Sequence, residues 1–185
     1  QLSLTEEQIG GLLSLSRREV EPVQSAKLSD AIREVERLIS VQCEHFRVIL
    51  LVDVPVGVEW EIPDADSFRT AVLNLLLNAL EAAGEGGRVE IAVVPDCKFN
   101  LDEHPADPAQ ADRSHQRIIA IEVRDSGAGP AADIIDSLFE PFVTSKPEGV
   151  GLGLALAKSA AESAGGTLTW ERRDELTVFQ FLLPA

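Results

Sequence analysis

The chain has 185 residues, 45% of them apolar and 25% charged, which suits one compact α/β domain with a real core and leaves too little for two full domains. Its formal net charge of −15 argues against nucleic acid as a main partner, because a phosphate backbone repels an acidic surface. No apolar run approaches the ~18 residues of a membrane span, and no basic, apolar signal segment opens the chain.

Thr5 and Gln8 form a capping-box pattern, so a helix is expected from about Thr5, with Ile9, Leu12 and Leu13 as its stripe and Glu21-Pro22 as its stop. Leu28, Ala31, Ile32, Val35, Leu38, Ile39 and Cys43 recur at helical spacing. Residues 48–54 read as a strand bounded by Pro55 and Gly57, and 58–62 are placed to pair with it as a hairpin. Pro63-Asp64 opens a long helix over 65–83, closed by Gly84. Residues 88–94 form a strand, 95–116 a polar, aperiodic loop, and 117–124 a strand of high β-propensity. A short helix is expected over 131–138 and a longer one over 152–164, stopped by Gly165-Gly166. Residues 167–172 and 176–183 form a terminal hairpin around Asp174. There are no internal repeats. Helices and hairpins without strict βαβ alternation point to a two-layer α/β sandwich with a mixed sheet. Cys43 and Cys97 lack CxxC spacing and read as free thiols of a reducing compartment. The sequence has no methionine, even at position 1, so it reads as a piece of a longer protein.

Four segments carry chemistry. Asn74 and Asn78 stand at i and i+4 on a helix otherwise rich in leucine, so both amides point from one side. A buried amide without partners costs roughly 1–3 kcal/mol. Either backbone or water satisfies the pair, or an amide oxygen there helps hold a hard cation such as Mg²⁺ bridged to phosphates. Asp125-Ser126-Gly127-Ala128-Gly129 follows a strand directly. An aspartate there serves either as a local Asx bond or as the acceptor for the exocyclic amine of adenine, where guanine would present a repelling oxygen. Gly149-Val150-Gly151-Leu152-Gly153 leads straight into a helix. It is either a hinge or a set of backbone N–H donors at a helix start, where anions are favoured. Such donors, with a divalent cation, let an acidic protein hold a triphosphate. The spacing is not that of a dinucleotide fold, which needs GxGxxG between a strand and a helix. Between these motifs lies Leu138-Phe139-Glu140-Pro141-Phe142-Val143-Thr144-Ser145-Lys146. Phe139 and Phe142 are its expected anchors, and Lys146 is placed to reach a phosphate.

Together, "NLLLNALEAA", "VRDSGAGP", "LFEPFVTSK" and "GVGLGLALAKSAAESAGG" resemble the N, G1, F and G2 boxes of sensor histidine kinases, in their usual order. The wording of the boxes is most similar to the nitrogen-regulation type. The resemblance is densest over 66–166. It implies the fold shared with gyrase, Hsp90 and MutL: a mixed sheet backed by helices, with a mobile ATP lid. It implies that Asn78 coordinates Mg²⁺ and that Asn74 lines the phosphates. It implies that Asp125 bonds the adenine amine with support from Gly127 and Gly129, and that Thr144 and Lys146 act from the lid. Gly149, Gly151, Leu152 and Gly153 would cradle the triphosphate of ATP. Gyrase-like relatives carry a water-activating glutamate where this chain has Asn74. An asparagine cannot act as that base, which fits phosphoryl transfer to a protein side chain better than hydrolysis.

The upstream stretch "LLSLSRREVEPVQSAKLSDAIREV" looks like the end of a dimerisation helix and its link. This divides the chain into 1–22, helix end and linker, and 23–185, catalytic and ATP-binding domain. His45, His104 and His115 all lack the context of a phosphoacceptor histidine, so the acceptor is expected elsewhere. The implied partners are the dimerisation and phosphoacceptor domain of the same protein and the receiver domain of a response regulator. The whole protein is expected to be a homodimer, with this part cytoplasmic and out of contact with membrane. Two other readings stay open at this point: a serine kinase of the anti-sigma type on the same fold, and a nucleotide-binding scaffold without transfer activity.

Overall fold

A computed structural model describes residues 24–97, 117–146 and 149–184. The helix expected from Thr5, and the loop beyond residue 97 with His104 and His115, lie outside the described residues.

The chain enters through a two-residue strand, β1 (Ala26–Lys27), and passes directly into α1 (Leu28–Phe46). Leu28, Ala31, Ile32, Val35, Ile39 and Cys43 bury one stripe of α1. Leu38 breaks the expectation at 60% exposed. A helix packed along one side buries a single stripe, and residue 38 lies a full ~100° step from residue 39. Arg47 ends the helix in the left-handed region, φ 54°, with its N–H turned back to the Cys43 carbonyl.

β2 (Ile49–Asp53) does not form the expected hairpin with β3 (Glu61–Ile62). It pairs in parallel with β4 (Arg88–Val94), while β3 pairs antiparallel with β1 as a separate ribbon. Burial decides the outcome. As a neighbour of the edge strand, Ile62 would sit at the rim of the sheet; in the ribbon it is 2% exposed and joins the core with Leu28. The Leu28 N–H donates to the Trp60 carbonyl, and the Ala65 N–H to the Gln24 carbonyl, which closes the ribbon over its ends.

α2 (Ala65–Ala83) runs as the sequence indicates. The Asp64 carboxylate caps it by accepting from the Ser67 N–H at 3.0 Å. Phe68, Ala71, Val72, Leu75, Leu76, Ala79 and Leu80 are buried, while Leu73 and Leu77 are only half-buried. α2 packs across β4 and β5 (Ile118–Asp125). The 131–138 helix reduces to one 3-10 turn, Ile135–Ser137. With no side-chain cap and so few residues, nucleation is not repaid. α3 (Gly153–Ser163) packs on α2 and on β6 (Thr167–Arg173). β7 (Leu176–Pro184) completes the hairpin through Asp174 and Glu175, both at positive φ.

The sheet order is β2-β4-β5-β7-β6, with one parallel pair and three antiparallel. Val89, Ile91, Ile119, Ile121, Val123, Phe179 and Phe181 form its helix-facing side, at the period of two that a half-covered sheet requires. The expected two-layer α/β sandwich with a mixed sheet is therefore present. On the opposite face, Glu122 is 4% exposed and accepts from Arg124, Arg173 and Gln180. Burial pushes its carboxyl upward, but those donors outweigh it and hold the group below the usual range.

Candidate functional site

The end of β5, the asparagine side of α2 and the start of α3 meet at one end of the helix layer. Asp125 is the last residue of β5 and is 1% exposed. Its Oδ1 accepts from the Gly127 N–H at 2.8 Å, so the local Asx bond foreseen as the plainer reading is real. It is only part of the arrangement. Thr177 lies opposite Asp125 in the β5–β7 register and is 2% exposed. Burial pushes the Asp125 carboxyl up. The Gly127 N–H, the Thr177 hydroxyl and the positive charges of Arg172 and Lys146 pull it back without cancelling the rise. The turn is close to its neighbours: a Cβ on Gly127 would stand 2.4 Å from the Ala82 carbonyl oxygen. Arg172 Nη1 donates to the Gly127 carbonyl and to Thr177 Oγ1, both at 2.7 Å. Ser126 staples the turn to β4, its N–H donating to the Arg88 carbonyl and its Oγ accepting from the Arg88 N–H.

The second half of the site is more open. Asn74 and Asn78 are half-buried on α2. Gly153, the first residue of α3, abuts them: a Cβ there would meet Asn74 Oδ1 at 3.4 Å and Asn78 Nδ2 at 3.5 Å. α3 has no side-chain cap at Leu152, so the amides of its first turn have no protein acceptor from a capping side chain. Lys146 Nζ donates to Asn78 Oδ1 at 2.9 Å and pairs with the Glu81 carboxylate. Thr144 Oγ1 accepts from the Lys146 N–H at 3.1 Å, and a Cβ on Gly149 would strike that hydroxyl. Gly151 takes φ 70°, and its carbonyl accepts from the Phe142 N–H at 2.8 Å. A side chain at Gly151 would meet both the conformational penalty and the Phe142–Val143 backbone. Of the two expected anchors, only Phe139 serves, packed edge-on to Phe179 with centroids 6.4 Å apart. Phe142 is 68% exposed at φ 68°. The segment turns at Phe142 to reach Gly151, and that turn points the ring outward.

The structure thus brings together Asn74, Asn78, Thr144, Lys146, Gly149, Gly151, Leu152 and Gly153 at one end and Asp125, Gly127 and Gly129 at the other. Three participants escaped the sequence reading. Thr177 and Arg172 are polar residues in phase with inward-facing apolar ones, Phe179 and Phe181 on β7 and Leu168 and Trp170 on β6. That break in alternation is a readable signal. Glu81 stands one helical turn beyond Asn78 and gives no signal of its own. His45 closes α1, exposed and edge-on to Phe46.

The profile of histidine kinase-, DNA gyrase B-, and HSP90-like ATPases matches residues 63–185. The chain is similar to the sensory histidine kinase/phosphatase NtrB of Rhodobacter capsulatus, 37% identical over 122 residues, which cover 65% of this chain and 32% of the relative. It is also similar to the sensor protein FixL of Bradyrhizobium diazoefficiens, 31% identical over 160 residues, covering 85% of this chain and 28% of the relative. It therefore spans about a third of the length of these curated relatives. Among solved structures, the catalytic domain of the histidine kinase ThkA superposes with a TM-score of 0.67 at 24% identity, covering 87% of this chain and 94% of that one. At that identity the likeness speaks for the fold.

Proposed function

The chain belongs to the histidine kinase-, DNA gyrase B-, and HSP90-like ATPases, and on that premise we propose that it binds Mg-ATP and donates the γ-phosphoryl group to a histidine in another part of the protein. The observation that carries the reading is the asparagine pair set against the first residue of α3. The uncapped first turn of α3 and two side-chain amides lie against one another there, while the buried acceptor Asp125 ends β5, with Gly127 close against α2 at Ala82. One end suits phosphates and the other suits a base that carries an amine.

In this reading Asp125 accepts from the adenine amine, with Gly127 and Gly129 allowing the base to approach the backbone. The amides of Gly149, Gly151, Leu152 and Gly153 cradle the phosphates, and Asn74 lines them. Thr144 and Lys146 contact phosphate from the intervening segment. Asn78 Oδ1 would hold the cation. Among the described residues no group of three or more His, Cys, Asp or Glu side chains could hold a metal. That fits Mg²⁺, which is commonly bound through one or two protein oxygens together with substrate phosphates and waters. When bound, Mg²⁺ supplies neutralisation of charge on the phosphate oxygens. The chain's own groups then align the γ-phosphorus with an incoming imidazole nitrogen. A nitrogen–phosphorus bond forms, the bond to the bridging oxygen breaks, and ADP leaves. Asn74 offers no general base for water, which favours transfer over hydrolysis.

The remaining parts follow from the same reading. Residues 1–22 end the dimerisation helix and 23–185 form the catalytic domain. The partners are the phosphoacceptor domain of the same protein and a response-regulator receiver domain, with the whole protein a homodimer. No helix among the described residues is long and apolar enough to cross a membrane, and we place this part in the cytoplasm. The 185-residue chain is expected to bind ATP in the presence of Mg²⁺ by calorimetry, yet to take up no label from γ-labelled ATP. An acid-labile phosphohistidine formed on this chain alone would overturn the placement of the acceptor.

A further inference from the structure

The turn after β5 is held from three sides. Ser126 ties its first residue to β4, its N–H donating to the Arg88 carbonyl and its Oγ accepting from the Arg88 N–H. Gly127 lies against α2, where a Cβ would stand 2.4 Å from the Ala82 carbonyl oxygen. The third side is Arg172. It stands opposite Thr177 in the β6–β7 register, and Thr177 stands opposite Asp125 in the β5–β7 register, so the three side chains start on one face of the sheet. The arm of Arg172 passes Gly129, with Cδ 3.9 Å and Nη1 3.6 Å from where a Cβ would stand. Its Nη1 carries two hydrogens, and it donates to the Gly127 carbonyl and to Thr177 Oγ1, both at 2.7 Å. Thr177 is 2% exposed, which anchors the guanidinium to the sheet. Among the described residues the Gly127 carbonyl takes no other hydrogen bond.

We propose that Arg172 is a positioning residue for base binding: its guanidinium ties the Gly127 carbonyl to the sheet and keeps the glycine turn set against α2 before a nucleotide arrives. The inference rests on the reading of Asp125 as the base contact. Two glycines in four residues, with Gly129 at φ 86°, do not make a stiff turn by themselves, because glycine loses more freedom on ordering than any other residue. A base that meets Asp125 passes along the backbone of this turn. A turn already in place needs no ordering on binding, whereas a loose one subtracts its ordering cost from the affinity. Arg172 touches no nucleotide in this role and acts only through the turn.

The test uses the 185-residue chain with Arg172→Met and Arg172→Lys, each alone and in the Asp125→Asn and Asn78→Ala backgrounds. ATP affinity with Mg²⁺ is read by calorimetry, and amide exchange in the nucleotide-free chain by NMR. Loss of one brace is expected to weaken ATP roughly five- to tenfold in Arg172→Met. Arg172→Lys, which also donates from a cation, recovers part of that loss. In the Asn78→Ala background the loss keeps its full size. In the Asp125→Asn background it shrinks to within about twofold, because effects that act through one contact are not additive. Exchange of the Gly127 amide quickens in Arg172→Met, while the Ser126 amide, bonded to Arg88, keeps its rate. Should Arg172→Met fail to fold, Arg172→Gln goes through the same comparison. A loss of equal size in all three backgrounds, or an unmoved Gly127 amide, would overturn the proposal, since a residue that merely supports the fold or touches phosphate behaves so. An Asp125→Asn chain that binds ATP as the parent does removes the reading of Asp125 itself. A weakened Asp125→Asn beside an unaffected Arg172→Met removes only the role of Arg172.

Discussion

The two halves of the site are built by opposite rules. At the Asp125 end the acceptor is buried and already partnered: Asp125 is 1% exposed and its neighbour Thr177 2%, Asp125 Oδ1 takes the Gly127 N–H, and Gly127 lies against the Ala82 carbonyl. At the Asn78 end the groups are open and pair with one another, with the Lys146 side chain 42% exposed and its partner Glu81 51% exposed. A base has one shape and one hydrogen-bond pattern, so a preformed rigid contact discriminates it. Phosphates and a cation bring their own charge and hydration, and a water-exposed set of ligands can exchange partners to meet them. Specificity and exchange are thus assigned to different parts of one site.

The strongest way to break this contrast is at Asp125. Asp125→Asn is expected to weaken ATP roughly 10- to 100-fold, the value of a hydrogen bond to a charged group, read by calorimetry. The same variant should melt at the same temperature as the parent or slightly higher. The sign follows from the raised carboxyl. A carboxyl whose folded value lies above its unfolded value costs stability as pH rises through that interval, and the cost persists at neutral pH. A neutral amide removes it. A large loss of melting temperature at pH 7 would mean that the charge holds the fold, not the base. Next comes Gly127→Ala, whose new Cβ meets the Ala82 carbonyl at 2.4 Å. Forced repacking of this kind costs roughly 1–3 kcal/mol, or about 3–10 °C by thermal denaturation in a chain of this size. An unchanged melting temperature would show that this end yields, and the contrast would fail.

What the sequence made legible follows the same line. α2, β4, β5, α3 and the terminal hairpin are each specified by local pattern: a cap at Asp64, alternation along β5, Gly165-Gly166 after α3. The β2–β3 hairpin was misplaced because pairing is decided by where Ile62 can be buried, a non-local fact. Leu38 was misplaced because periodicity does not say how wide a stripe its neighbour covers. In the site, residues inside motifs were legible because their types and spacing constrain backbone and charge. Thr177 and Arg172 interrupt the inward apolar alternation of β7 and β6, which marks them locally, but their meeting with the Asp125 turn depends on cross-strand register, which no local spacing records. Glu81 acts through Lys146, which is distant in sequence and adjacent only once α2 and the segment before α3 are packed.

Asn78→Ala sharpens the contrast from the other side. It removes the half-buried oxygen read as the cation ligand and leaves the core untouched. Affinity for ATP with Mg²⁺ is expected to fall on the order of tenfold, the value of about one charge-assisted contact. Affinity in the presence of a chelator should stay within about twofold of the parent, and the melting temperature should not move. Equal losses with and without Mg²⁺ would remove the metal role.

The smallest effect is the most informative about exchange. The Lys146 ammonium bonds Asn78 Oδ1, the oxygen read as the cation ligand, and pairs with Glu81. An exposed pair of this kind is worth at most about 1 kcal/mol, which bounds the consequence at roughly fivefold. Glu81→Gln weakens the hold on Lys146 and frees it for phosphate. ATP binding in chelator should therefore tighten by up to roughly fivefold, while binding with Mg²⁺ changes less, so the dependence on Mg²⁺ shrinks. Lys146→Met, with no ammonium to release, should erase the gain when combined with Glu81→Gln. If Glu81→Gln leaves the ratio of affinities with and without Mg²⁺ unchanged, Lys146 is not held back from phosphate by its pair. The phosphate end would then be as preformed as the base end.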